Sequence, residues 1–194
     1  MNRFTIYLIL TLAFAAPALG HDPLKITPLA ERTVDTLPQG TLYWRIENFA
    51  DVASAQAAAG PYALVAQSAG KVWLFTLETA AGTTGAGTKV TDVGPIPRVD
   101  APKYLLRINQ ASGAPGSVTP VHSHPGSEAF YVLRGEQSIR GPGDTLRVPV
   151  GRAEAGRGAG VPMEVSSAGS EDLLALVMFV VDATKPFSSP ATMP

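Results

Sequence analysis

Glycine and proline interrupt this chain along its whole length and so limit the folds that it can adopt. The sequence has 19 glycines and 17 prolines in 194 residues, and few windows carry the 3.6-residue period of an amphipathic helix. Short apolar runs separated by turn residues are typical of β-strands joined by tight turns rather than of a helix bundle. Since 45% of the residues are hydrophobic and 16% are charged, the composition is that of a globular protein. We therefore predict an all-β fold.

The first twenty residues have the pattern of an export signal. Arg3 is followed by an apolar run over residues 4–16, and Pro17 and several small residues come next. The run is shorter than the roughly 20 residues that a membrane-spanning helix needs, and its flanks are those of a secretory signal peptide. We predict that residues 1–20 are a signal peptide and that the protein is exported, to the periplasm or the medium, with no membrane segment after cleavage.

Charge and cysteine content exclude several classes of function. Fifteen Lys and Arg residues against sixteen Asp and Glu residues give a formal net charge of −1, so no overall field attracts nucleic acid. The sequence contains no cysteine, which excludes thiol catalysis, thiolate metal sites and disulfides. An exported domain without disulfides must be held together by an apolar core, which is feasible for about 170 residues.

Periodicity and turn residues predict the order of the elements. We expect a short helix over residues 51–59 with Asp51 as its N-cap. Residues 21–39 are proline-spaced and polar and are predicted as an extended arm or loop, and residues 80–88 as a surface loop. The predicted strands are residues 41–48, 62–67, 71–77, 103–110, 128–134 and 172–181.

One short segment combines the side chains of a metal site. His122 and His124 are separated by a single serine, and Glu128 follows four residues later. On a strand the two imidazoles point to the same side, about 7 Å apart along the backbone. Glu128 has the same parity as the histidines, as do Phe130 and Val132, so the carboxylate should face the same interior. Two imidazoles and a carboxylate are the ligands of many first-row transition-metal sites.

The spacing around these residues resembles the first motif of the cupin superfamily. Gly116, five residues, His122, one residue, His124, three residues, Glu128, six residues and Gly135 match that motif in identity and in spacing. The resemblance implies a double-stranded β-helix, or jelly-roll barrel, whose mouth holds a metal ion and any small ligand.

The resemblance also implies a domain organisation. It covers residues 103–181 well, so residues 103–194 are predicted to form the barrel core and a C-terminal tail. Residues 21–102 are then an N-terminal arm and extra strands, with one short helix, that pack on the barrel. Many cupins are homodimers, and the resemblance leaves a homodimer through edge strands open for this chain as well.

The second cupin motif departs from the family pattern, because no histidine follows His124 to complete the metal site. Two alignments compete for the vacant position. One matches residues 143–151 to the motif and places Glu154 there. The other matches residues 159–165 and places Met163 there, and we prefer it because the chain that follows then supplies the turn and closing strand of the barrel.

The predicted metal site therefore consists of His122, His124, Glu128 and the Met163 thioether. A thioether suits copper(I), whereas a site of three ligands suits iron, manganese or zinc, so the sequence predicts a divalent transition metal without naming it. A methionine also packs well against apolar neighbours, and this reading of Met163 stays open. A barrel that has lost its metal, and a polar pocket that never held one, are open as well.

Three classes of function follow from the resemblance. A metalloenzyme similar to cupin dioxygenases would orient an enediol or phenolic oxygen and activate oxygen, with Glu128 as a ligand or a catalytic base. A binding protein would capture a small molecule or a metal without turnover. A structural barrel would do neither. In the first two classes the expected partner is a small molecule, and in none is it a nucleic acid.

Overall fold

The computed structural model describes residues 22–79, 81 and 85–193, so the predicted signal peptide and part of the predicted loop over residues 80–88 lie outside the described residues. Within those ranges no helix has the length and apolar character needed to cross a membrane. In chain order the elements are β1 (Lys25–Val34), β2 (Leu42–Phe49), α1 (Val52–Ala58), β3 (Ala63–Ser68), β4 (Lys71–Glu78), β5 (Thr88–Ile96), β6 (Tyr104–Gly113), β7 (His122–Ser123), β8 (Gly126–Arg134), β9 (Glu136–Gly141), β10 (Asp144–Pro149), β11 (Ala153–Ala155), β12 (Glu164–Ser167), β13 (Leu173–Asp182) and β14 (Ser189–Pro190).

The strands form three layers around a central antiparallel sheet. The central sheet has the order β1-β6-β13-β8-β11. On one side it faces a sheet of order β10-β9-β12, which is extended by isolated bridges from Ser166 on β12 to Val118 and from Met163, just before β12, to His122. On the other side it packs against a four-stranded sheet of order β3-β4-β2-β5. The first pair of sheets encloses the barrel, and the predicted all-β double-stranded β-helix is confirmed.

Two hydrophobic cores lie on opposite faces of the central sheet. The core beneath the N-terminal sheet, here called the outer core, includes Trp44, Phe75 and Ile108. The core inside the barrel, here called the inner core, includes Phe130 and Phe179. Because side chains on a strand alternate between faces, each of β6, β8 and β13 contributes to both cores.

The predicted arm over residues 21–39 is wrong for its central part, because β1 is a strand of the central sheet. It pairs antiparallel with β6, from Lys25 opposite Ser112 to Val34 opposite Tyr104. The register shifts just after Pro28, which marks an irregularity in an edge strand, where a proline is tolerated. Half-exposed side chains and this irregularity remove the clean alternation that would have identified the strand from sequence.

The short helix and the turns agree with the sequence predictions. Asp51 caps α1, and its carboxylate accepts a hydrogen bond from the Ser54 backbone N–H at 2.7 Å. The cupin-motif glycine at the β8–β9 turn, Gly135, has φ of +72°, a conformation that favours glycine. A side chain there would also lie 2.9 Å from the carbonyl oxygen of Asp172. Both the backbone conformation and the lack of space therefore favour glycine at this position of the motif.

Candidate functional site

A cavity of about 430 Å³ lies inside the barrel. Its apolar wall comes from both sheets and from the C-terminal segment, through residues such as Phe130, Val165, Phe179 and Phe187. Four of its polar residues are Asn109, His122, His124 and Glu128. An apolar cavity with a few convergent polar groups is the usual form of a small-molecule site.

Strand β8 directs Glu128 into the cavity. Glu128 and Phe130 line the cavity, whereas Ala129 between them packs in the outer core. The expected shared parity of Glu128 and Phe130 is therefore observed. The Glu128 side chain is almost fully buried, and its Oε1 atom has no hydrogen-bond partner among the described residues.

The two histidines are held against each other with defined ring orientations. Their ring centroids are 5.0 Å apart and the rings are nearly perpendicular, at 86°. Nδ1 of His122 lies 2.8 Å from the carbonyl oxygen of Pro120, and Nδ1 of His124 lies 2.6 Å from that of Phe187. A carbonyl oxygen only accepts, so each Nδ1 donates and each Nε2 keeps its lone pair. This is the arrangement that metal-binding histidines usually adopt.

Burial keeps the side chains of His124 and Glu128 uncharged at neutral pH. Burial, opposed by the hydrogen bond to the Phe187 carbonyl, lowers the pKa of His124 to about 4. Burial, opposed by the positive charge of Arg157, raises the pKa of Glu128 to about 8. His124 Nε2 and Glu128 Oε2 are 3.9 Å apart, within ion-pair distance. At neutral pH, however, the imidazole is neutral and the carboxyl is protonated, so the two do not form an ion pair.

The structure places the two alternative third ligands differently. Met163 lies opposite His122, and the two backbones exchange hydrogen bonds of 2.9 and 2.8 Å. Its side chain is buried in the inner core. Glu154 lies opposite Phe130 at the edge of the central sheet and is half-buried. Among the residues that the structure describes, neither Met163 nor Glu154 lines the cavity.

The three first-motif side chains are neighbours rather than a closed ligand set. His124 contacts the His122 ring and approaches Glu128, as described above. Within the described part of the chain, no three His, Asp or Glu side chains are already grouped closely enough to hold an ion. Binding of a metal would therefore require these groups to come closer together.

Two contributors to the site were missed by the sequence analysis. Asn109 on β6 lines the cavity. Side chains alternate along this strand and the neighbouring Ile108 packs in the outer core, so the alternation could have indicated that Asn109 faces the cavity. The C-terminal segment contributes Phe187, whose ring packs on His124 and Phe179 at 4.8 and 4.9 Å between centroids. No periodic signal marks a single phenylalanine among prolines and serines.

Comparison with known proteins yields matches only among solved structures. No family model and no curated protein matches the sequence. A cupin-like protein from Thermotoga maritima has 19% identity over 45% of this chain and 65% of its own, with a TM-score of 0.40. A protein with a double-stranded β-helix domain from Klebsiella pneumoniae has 19% identity over 45% of this chain and 75% of its own, with a TM-score of 0.39.

Another similar structure is an enzyme. The DMSP lyase DddQ from Ruegeria pomeroyi has 21% identity over 44% of this chain and 43% of its own, with a TM-score of 0.39. The chain thus spans less than two thirds of the Thermotoga protein and less than half of this lyase. The double-stranded β-helix barrel itself is recognised from the strand order of its two sheets and from the cavity between them.

Proposed function

We propose that this cupin-type barrel holds a divalent transition metal with His122, His124 and Glu128 and presents it to a small molecule in the cavity. One observation carries the proposal. Each histidine is fixed by a backbone carbonyl at Nδ1, so both Nε2 lone pairs are available beside a buried carboxyl oxygen that lacks a partner.

The donor set fits such an ion. Imidazole and carboxylate suit iron, manganese, zinc and copper, and the carbonyls of Pro120 and Phe187 supply the outer hydrogen bonds that orient the rings. The burial that raises the Glu128 pKa disfavours an uncompensated carboxylate, and a bound cation would provide the missing compensation. When bound, the metal would act as a Lewis acid on an oxygen of the ligand.

The protein itself supplies orientation and exclusion of water. Phe130 and Phe179 form apolar walls around the polar groups, so a ligand oxygen placed there is removed from bulk solvent. Glu128 can hold or accept a proton at its unpartnered Oε1 atom. We propose a dioxygenase-like activity on this basis, and capture of a small molecule without turnover is the alternative. The apolar run over residues 4–16 supports export of the protein.

Elemental analysis of protein purified without chelators tests the metal site. We expect close to one transition-metal ion per chain, loss of that metal in a variant carrying both His122→Ala and His124→Ala, and at least about tenfold weaker binding in Glu128→Gln. Glu164→Gln is the matched control, because Glu164 on β12 pairs with Arg140 on β9 and lies outside the cavity wall. Metal content that is the same in the wild type and the double variant would contradict the proposal. So would absence of metal together with a melting temperature that copper, iron, manganese and zinc leave unchanged.

A further inference from the structure

The cavity wall shows which ligands the barrel can accept. Among the described residues, no lysine or arginine side chain lines it. An anionic ligand would therefore lose its hydration inside the barrel without gaining a charged partner from the protein wall, which is unfavourable. The wall itself thus disfavours carboxylates and phosphates.

Two arginines that lie near cavity-lining residues are already engaged. Arg107 pairs with Glu31 at 2.8 Å, and its guanidinium lies 4.5 Å from the centre of the Phe187 ring. Arg157 donates to both carboxylate oxygens of Asp144, at 2.9 and 2.7 Å. Neither charge is available to a ligand without breaking an existing contact.

Asn109 provides the cavity with a neutral polar group. It lies opposite Val177 on β13, which in turn lies opposite Phe130 on β8, so the three residues form one row across the inner face of the sheet. All three line the cavity. Asn109 is 2% exposed, and its Oδ1 atom has no hydrogen-bond partner in the part of the chain that the structure describes. A buried acceptor of this kind is normally satisfied, so a group that enters the cavity can supply the missing donor.

We infer that the cavity wall, apart from any metal bound at the histidines, selects a small, uncharged, mainly apolar molecule whose hydroxyl group donates a hydrogen bond to Asn109 Oδ1, which makes Asn109 a specificity-determining residue. Polyhydroxylated sugars are disfavoured, because the valine and phenylalanine walls would leave most of their hydroxyls without partners. The inference rests on the proposed function only in that the same cavity is the ligand site.

Three aromatic probes of similar shape test this inference on protein stripped of metal with a chelator. 1-Naphthol carries a hydroxyl, naphthalene has no polar group, and 1-naphthoate is an anion at neutral pH. We expect 1-naphthol to bind about tenfold more tightly than naphthalene, which corresponds to one hydrogen bond. 1-Naphthoate should bind at least about tenfold more weakly than 1-naphthol, because the wall offers no cation. Fluorescence titration gives all three dissociation constants.

Two variants assign the preference to Asn109. Asn109→Leu keeps the branched shape of the side chain and removes the acceptor, so the preference for 1-naphthol over naphthalene should disappear while naphthalene still binds. Asn48→Leu is the matched control, because Asn48 lies on β2 of the N-terminal sheet and donates to the Val72 carbonyl. It should keep the full preference.

A third variant keeps the test decisive if Asn109→Leu does not fold. Val177→Phe fills the same row of the cavity and should weaken binding of both 1-naphthol and naphthalene at least about tenfold. The inference is overturned if none of the probes binds, if 1-naphthoate binds as tightly as 1-naphthol, or if the preference survives in Asn109→Leu. Equal binding of the probes by Val177→Phe and the wild type also overturns it. Since the titrations use metal-free protein, failure of the metal site leaves their result intact, and failure of the probes leaves the metal analysis intact.

Discussion

The two faces of the central sheet are built from the same strands but serve different purposes. The outer face packs Leu106, Ile108 and Met178 against the aromatic side chains of the N-terminal sheet. The inner face places Asn109 and Glu128 beside an open cavity. The unpartnered atoms Asn109 Oδ1 and Glu128 Oε1 therefore belong to residues that are next in sequence to fully buried apolar residues, Ile108 and Ala129.

This contrast indicates how the barrel can accommodate unfavourable groups. A buried neutral carboxyl and an unsatisfied amide both reduce stability. The outer core, which contains the fully buried Trp44 and Phe75, adds apolar burial that a barrel alone would lack. We infer that the N-terminal sheet stabilises the fold while the inner face is left free for binding.

The largest expected effect comes from truncation of the outer core. Phe75→Ala should lower the free energy of unfolding by about 3–5 kcal/mol, because Phe75 is fully buried and stacks on Trp73. Phe179→Ala, on the inner face beside the cavity, should cost only about half as much. Urea unfolding of both variants measures the difference. A larger loss for Phe179→Ala would reverse the proposed division between the two faces.

A methyl group at the start of β8 should be the next most damaging change. A Cβ atom on Gly126 would overlap backbone atoms of Val180 and Val181 in β13, which cannot move away cheaply. We expect Gly126→Ala to cost about 3 kcal/mol in unfolding free energy. Gly60→Ala is the control, because no atom lies within 4 Å of a Cβ at that position. Equal stability of the two variants would show that the ladder between β8 and β13 is looser than described.

Replacement of the buried Glu128 by glutamine should reduce the change of unfolding free energy with pH. The Glu128 pKa is raised to about 8 from an ordinary value of 4.5, so the folded state retains a proton that the unfolded state has lost. Stability therefore falls as pH rises from 4.5 towards 8. The pKa of His124 is lowered to about 4 from 6.5, so its contribution runs the other way, with stability lost as pH falls below 6.5.

Of these two groups, Glu128 is the one whose contribution changes between pH 6.5 and 8, so wild type and variant are compared in that window. We expect metal-free wild type to lose about 2 kcal/mol relative to Glu128→Gln across it. Chemical denaturation at several pH values measures this difference, and Glu164→Gln should follow the wild type. If the wild type and Glu128→Gln change in parallel with pH, Glu128 is ionised in the folded protein.

Replacement of Met163 should have the smallest effect and separates packing from metal binding. Met163→Leu conserves volume in the inner core, so the unfolding free energy should change by less than about 1.5 kcal/mol. We expect metal content to be unchanged, because the side chain does not line the cavity. Loss of metal with retained stability would instead show that the thioether is a ligand, as the preferred sequence alignment allows.

Local patterns predicted much of the fold and part of the site. The turn spacing indicated an all-β chain, and the parity of His122, His124 and Glu128 placed these side chains at one cavity. The Asp51 cap was also predictable, because an N-cap acts on a residue only three positions away. Each of these features depends on neighbours in sequence.

The features that were missed depend on contacts between distant parts of the chain. Strand β1 is recognised by its pairing with β6, which lies about seventy residues further along, and not by its own half-exposed residues. The carbonyl that orients His124 belongs to Phe187, 63 residues away. The third-ligand alignments could not be separated from sequence either, because the place of Met163 in the inner core depends on its isolated bridge with His122, about forty residues earlier in the chain.

The position of β13 has a consequence for hydrogen exchange. Both edges of this strand are paired, with β6 and with β8, and both of its faces are covered. Its amide protons should therefore exchange only when the whole protein unfolds. By contrast, Ser189, whose backbone N–H is the one amide proton of β14, is exposed at the pairing with β7 and should exchange through local opening. We expect movement of the segment around Phe187 to leave β13 protected, so that a molecule can enter the barrel without loss of the fold.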